Sequence, residues 1–187
     1  MNPTIWIIVA VVIVALIIGA FLFAQRRRSE HLRSQFGPEY ERAVEESGGR
    51  RKAEADLADR EKRVEKLTIR PLDPAAREEF SRRWRDVQAR FVEDPPRALA
   101  YADALLAEVM RARGYPVSDF DQRAGDISVD HPGVVEHYRA GHEIAVRQER
   151  GEAATEDLRQ AMIHYRVLFD ELVGERGGAE RLPEATH

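Results

Sequence analysis

The sequence contains no cysteine, which excludes disulfides, thiol catalysis, thiolate metal sites and a lipoprotein attachment box. Lysine is scarce as well: 26 of the 29 basic residues are arginine, and Lys52, Lys62 and Lys66 are the remainder. No stretch alternates apolar and polar residues with period two, so no sheet is expected. A glycine-rich phosphate loop and a nucleophile elbow are both missing, and with them the usual signals of nucleotide chemistry and acyl transfer. Internal repeats are not visible.

What is present begins with TIWIIVAVVIVALIIGAFLFA, Thr4 to Ala24, a run without a charged residue. About 21 residues at 1.5 Å each span roughly 31 Å, near the ~30 Å hydrocarbon thickness of a bilayer. The run is apolar on every face, as a helix in lipid would be. A cleaved signal peptide would need a basic start, a shorter apolar core and a small-x-small site, none of which fits here. The expectation is therefore a permanent transmembrane signal-anchor over residues 1–24. Ala15 and Gly19 form a small-xxx-small pair that suits self-association of such a helix.

Arg26, Arg27, Arg28 and Arg33 follow the run, and nothing before it is basic except the terminal amine. The positive-inside rule then puts the N-terminus outside and residues 25–187 in the cytoplasm, with these arginines against lipid head groups. Trp6 fits the aromatic belt at the far rim.

Residues 25–70 hold 13 basic and 10 acidic side chains, whereas residues 71–187 hold 16 and 23. A basic collar followed by an acidic domain disfavours nucleic acid as a partner of the distal part. Gly37-Pro38 should interrupt the helix leaving the membrane. From Pro38 to Leu67 good helix formers dominate, with Asp56–Arg60 and Asp59–Arg63 spaced for i,i+4 pairing and Gly48-Gly49 as a break. Ala53, Leu57, Val64 and Leu67 trace a heptad seam that Arg60 interrupts. Residues 25–70 are thus expected to form a basic juxtamembrane segment and a solvated helical stalk, with a self-pairing coiled coil as the alternative.

Residues 71–174 read as a helical bundle. Asp73 and Pro74 open a helix whose apolar face is Phe80, Trp84, Val87 and Phe91. Asp94-Pro95-Pro96 starts a second, carrying Leu99, Ala102, Leu105, Leu106, Val109 and Met110 until Gly114. Asp130-His131-Pro132 opens a third, with Val134, Val135, Tyr138, His142 and Ala145. Thr155-Glu156-Asp157 caps the last, with Leu158, Met162, Tyr165, Leu168, Phe169 and Leu172. The expected fold is all-α: a single N-terminal transmembrane helix, a helical stalk, then an antiparallel bundle of about four helices. Residues 175–187 read as a disordered tail.

The connection from Gly114 to Asp130 is long, and Ser118 could cap a short helix there that Gly125 closes. Asp119, Asp121 and Asp130 match calcium-loop positions 1, 3 and 12, but Arg123 and Ala124 occupy positions that require a ligand and a glycine. His142-Glu143 lacks the second histidine of a zinc-peptidase helix, and His131, His137, His142 and His164 show no metal spacing. No catalytic, cofactor or metal residue is assigned.

The segments FSRRWRDVQARFVEDP, EVMRARGYPVSDFDQRAGDISVDHPGVVEHYR and EDLRQAMIHYRVLFDELV resemble an uncharacterised family of bacterial, often actinobacterial, membrane-tethered small helical proteins. The likeness covers about residues 30–173 and implies no activity. The sequence reading is a membrane-anchored interaction or scaffolding module, not an enzyme, with membrane lipid and a protein (another or itself) as partners. An enzyme using the distal histidines and acids, or an envelope-stress protein outside the cytoplasm, are the alternatives.

Overall fold

The 3.6-residue periodicity of the sequence is matched by helices throughout. The computed structural model describes residues 3–116 and 118–174, and within them every side chain except those of 3–11, 15 and 21. Among the described residues there are eight helices and no strand: α1 (Pro3–Phe36), α2 (Pro38–Ser47), α3 (Arg50–Val64), α4 (Pro74–Arg90), α5 (Pro95–Arg113), α6 (Phe120–Asp130), α7 (Pro132–Glu149) and α8 (Thr155–Gly174). The chain divides into two compact units, Met1–Ala58 and Asp59–His187.

The expected transmembrane helix is not supported. Among the described residues, no helix is long and apolar enough to cross a membrane. Along the described side chains of α1, the apolar residues end at Ala24. Beyond them α1 continues without a break through Gln25 and the three arginines to Phe36. Trp6 and Ala15 lie outside the described side chains, and the tail 175–187 lies outside the described residues.

The solvated stalk is corrected too. In the first unit, Leu32 and Phe36 of α1, Tyr40 and Ala43 of α2, and Ala53 and Leu57 of α3 are all buried. The helix break falls where the glycines are: Gly48 adopts φ 70°, a left-handed conformation that ends α2 and lets α3 begin at Arg50.

The second unit carries one core built on α4, α5, α7 and α8, with α6 as a fifth helix. Asp73, Asp94 and Asp119 cap α4, α5 and α6 by accepting from the backbone N–H groups of Ala76, Arg97 and Gln122. The expected four-helix count falls short because α6 runs on through Gly125 to Asp130. Ala124 and Ile127 are fully buried, and the Ser128 hydroxyl donates to the Gly125 carbonyl, so packing outweighs the helix penalty of one glycine. Trp84 lies in the core, stacked on Phe169 at 4.6 Å between centroids.

Helices α7 and α8 are antiparallel, because His131 meets Glu171 while His137 meets His164. They come close at Gly141, where a Cβ would stand 2.6 Å from two carbons of the Tyr165 ring. At the far end of the unit, the Arg113 carbonyl accepts from the Arg70 N–H at 2.9 Å, and its guanidinium donates to the Leu172 carbonyl at 3.3 Å. Gly114, at φ 104°, turns away beneath Thr68, whose carbonyl oxygen leaves no room for a side chain.

Candidate functional site

In the first unit, α1 and α3 enclose a cleft of about 630 Å³ lined by Leu22, Phe23, Arg26, Arg50, Arg51 and Glu54 among others. A second cleft of about 400 Å³ shares Gln25, Arg51 and Glu54 with it and adds Arg28. On α1 the spacing Leu22, Arg26, Ser29 keeps one helical face toward the cleft. On α3 the first turn supplies Arg50 and Arg51, and Glu54 follows one turn later.

Glu54 organises the site. One oxygen of its carboxylate accepts from the Ser29 hydroxyl at 2.5 Å, the Tyr40 hydroxyl at 2.8 Å and the Arg50 Nε–H at 2.8 Å. Burial opposes ionisation of this carboxyl, but the three donors outweigh it and hold its pKa below the ordinary value. Burial and Glu54 together raise the Tyr40 hydroxyl. Arg50 is thereby fixed at the cleft, while Arg26, Arg28 and Arg51 make no ion pair among the described residues. The site holds four guanidinium groups against one carboxylate, and Leu22 and Phe23 stand 52% and 59% exposed beside them.

The four arginines singled out in the sequence do not act as one group. Arg26 and Arg28 face the clefts; Arg27 lies over the Phe23 ring at 4.9 Å; Arg33 pairs with Glu41 at 3.0 Å. A Cβ at Gly19 would meet nothing within 4 Å in this unit. Sequence reasoning missed Arg50, Arg51 and Glu54, whose only local signal was an Arg-Arg pair opening a helix.

In the second unit the histidines are engaged with other side chains. Nδ1 of His137 and Nδ1 of His164 stand 2.9 Å apart while the ring centroids are 5.2 Å apart, so the two nitrogens face head-on and share one proton. A metal ion would not fit between them. His131 Nδ1 lies 3.2 Å from Glu171, and His142 stacks on Phe120 at 3.5 Å, its pKa lowered chiefly by burial. Among the described residues no group of three His, Asp or Glu could hold a metal ion. The acids of the calcium-like spacing sit on or beside α6, where Asp119 caps the helix and Asp130 accepts from the Tyr115 hydroxyl. Burial strongly raises the pKa of the Tyr138 and Tyr165 hydroxyls, which therefore stay protonated.

The outer face of α4 and α5 carries a different arrangement. Tyr101 is 38% exposed, with Arg90 over its ring at 5.4 Å and Arg97 at 5.8 Å. Neither arginine has a carboxylate partner among the described residues. Val92, in the turn between the helices, is 86% exposed. Shallow clefts of about 230 and 390 Å³ are both bordered by Arg90 and Tyr101. The sequence signal was faint: Tyr101 falls outside the apolar stripe of its helix. Compared with known proteins, the chain matches no family model, no curated protein and no solved structure.

Proposed function

We propose that the protein is a helical interaction module that holds a partner protein on the outer face of α4 and α5, working at the inner face of a membrane. The observation that carries this reading is Tyr101 with the guanidinium groups of both Arg90 and Arg97 over its ring, neither paired to a carboxylate among the described residues, on a face that also exposes Val92. Tyrosine and arginine dominate interface hot spots, since each combines a large apolar area with donors that a partner can satisfy. Rings already stacked by arginine lose little freedom on docking. The membrane location rests on the arginine run that follows the apolar stretch. A catalytic role is left out because the distal histidines spend their ring faces or nitrogens on one another, on Phe120 and on Glu171.

The test is photo-crosslinking in cells with a reactive amino acid at position 101 of the full chain, and at exposed Ile163 of α8 as reference. One discrete adduct from position 101, lost in Arg90→Glu/Arg97→Glu, is the expected outcome, and an adduct of twice the chain's mass would identify a second copy as the partner. Equal adducts from both positions, or an adduct indifferent to the arginines, would refute it.

A further inference from the structure

We infer that the cleft between α1 and α3 binds the headgroup of an anionic phospholipid, with its acyl chains laid along the exposed apolar side of α1. Charge comes first. Arg50 is neutralised by Glu54, which leaves Arg26 and Arg51 as uncompensated cations at the larger cleft and Arg28 at the smaller cleft that shares Arg51 with it. Guanidinium forks recognise phosphate bidentately, and two at one cleft with a third beside it suit a single phosphodiester better than a dispersed acidic surface.

The floor of the cleft then selects among anions. Leu22 and Phe23 stand beside the arginines, and the apolar exposure continues up α1 through Ile18, Ile17 and Leu16, the last 67% exposed. Free phosphate would use the arginines and leave this surface in water. A single-stranded nucleic acid would need several stacking platforms, and Phe23, the aromatic ring among the described residues lining this cleft, already has Arg27 over it. A glycerophospholipid alone satisfies both halves. At about 630 Å³ the cleft falls in the range of small-molecule sites. Gly19 borders the same cleft. The inference uses none of the α4–α5 face, so either can fail without the other.

The experiment is co-sedimentation of the full chain with vesicles of phosphatidylcholine, and with vesicles of equal parts phosphatidylcholine and phosphatidylglycerol. Three uncompensated arginines correspond to roughly a hundredfold tighter binding to the anionic vesicles. Arg51→Gln, an exposed residue with no partner to lose, should weaken that binding by about fivefold or more and leave binding to neutral vesicles unchanged. Arg27→Gln removes the same charge from outside the cleft and should cost several-fold less. Inorganic phosphate at equal ionic strength to chloride should not displace the protein. Equal losses in the two variants would mean diffuse attraction to the surface and overturn the site. Displacement by phosphate, or indifference to lipid charge, would overturn it as well.

Discussion

Gly141 offers a direct test of how α7 and α8 meet. A methyl group there would stand 2.6 Å from Cδ1 and Cε1 of Tyr165 and 3.4 Å from the Ala161 carbonyl oxygen. The ring cannot swing aside, because Tyr165 is fully buried and flanked by Tyr138 at 6.1 Å between centroids. Alanine gains about 1 kcal/mol over glycine inside a helix, whereas overpacking a core costs about 1–3 kcal/mol. Gly141→Ala should therefore destabilise by up to about 2 kcal/mol, a fall in thermal midpoint of roughly 4 °C per kcal/mol. Gly133, on the same helix, has nothing within 4 Å of its would-be Cβ. Gly133→Ala should accordingly stabilise, by up to about 1 kcal/mol. Thermal unfolding followed by circular dichroism would separate the pair. In a Tyr165→Leu background the Gly141→Ala penalty should vanish, a coupling of about 1 kcal/mol or more. A rise in midpoint for Gly141→Ala matching that of Gly133→Ala would refute the close approach of the two helices.

Trp84→Ala empties the site against Phe169 and should cost about 3–5 kcal/mol in chemical denaturation; Trp84→Phe, which also removes an indole N–H without a partner, should cost much less. Stability should fall as pH drops below about 6.5, because His164 and His142 both have pKa values lowered chiefly by burial. Their neutral forms are favoured in the folded state, so the stabilisation is complete above the unfolded value of about 6.5 and is lost as pH drops through the lowered folded values. His164→Asn should flatten that dependence, and a midpoint already flat in the parent chain would count against it. Glu54→Ala leaves the buried Tyr40 hydroxyl and Ser29 without their acceptor and should loosen the first unit by about 1–3 kcal/mol, seen as faster amide exchange in α2 and α3.

Helices α4, α5, α7 and α8 were legible because their apolar spacings agree with their ends: prolines open α4, α5 and α7, and glycines close α5, α7 and α8. α6 was misread for the opposite reason. Local rules offered Ser118 as its cap and Gly125 as its end, but Asp119 caps it and burial of Ala124 and Ile127 carries it onward. A similar override occurs at Arg63. Its spacing suggested pairing with Asp59, yet it donates to the buried carboxylate of Asp126 at 2.7 Å, and Asp59 sits nearest Lys62. The heptad seam Ala53, Leu57 and Val64 was a true burial signal, although it faces its own chain instead of a second copy. The α1–α3 cleft could not be read in advance. It depends on Ser29, Tyr40 and Arg50 converging on one carboxylate from three helices, and no spacing rule encodes that meeting.

Arg113 has a topological consequence. Its carbonyl takes the Arg70 N–H, just ahead of α4, and its guanidinium takes the Leu172 carbonyl, where α8 ends. One buried residue therefore brings the approach to α4 and the end of α8 within a side chain's reach of each other, while the turn at Gly151 is exposed and distant in sequence from both. Neighbouring ends make a domain tolerant of reconnection. A circular permutant that joins Gly174 to Thr68 through a short linker and opens in the Gly151 turn should keep a cooperative helical fold, and the unit could be spliced into a loop of another protein without splaying its host.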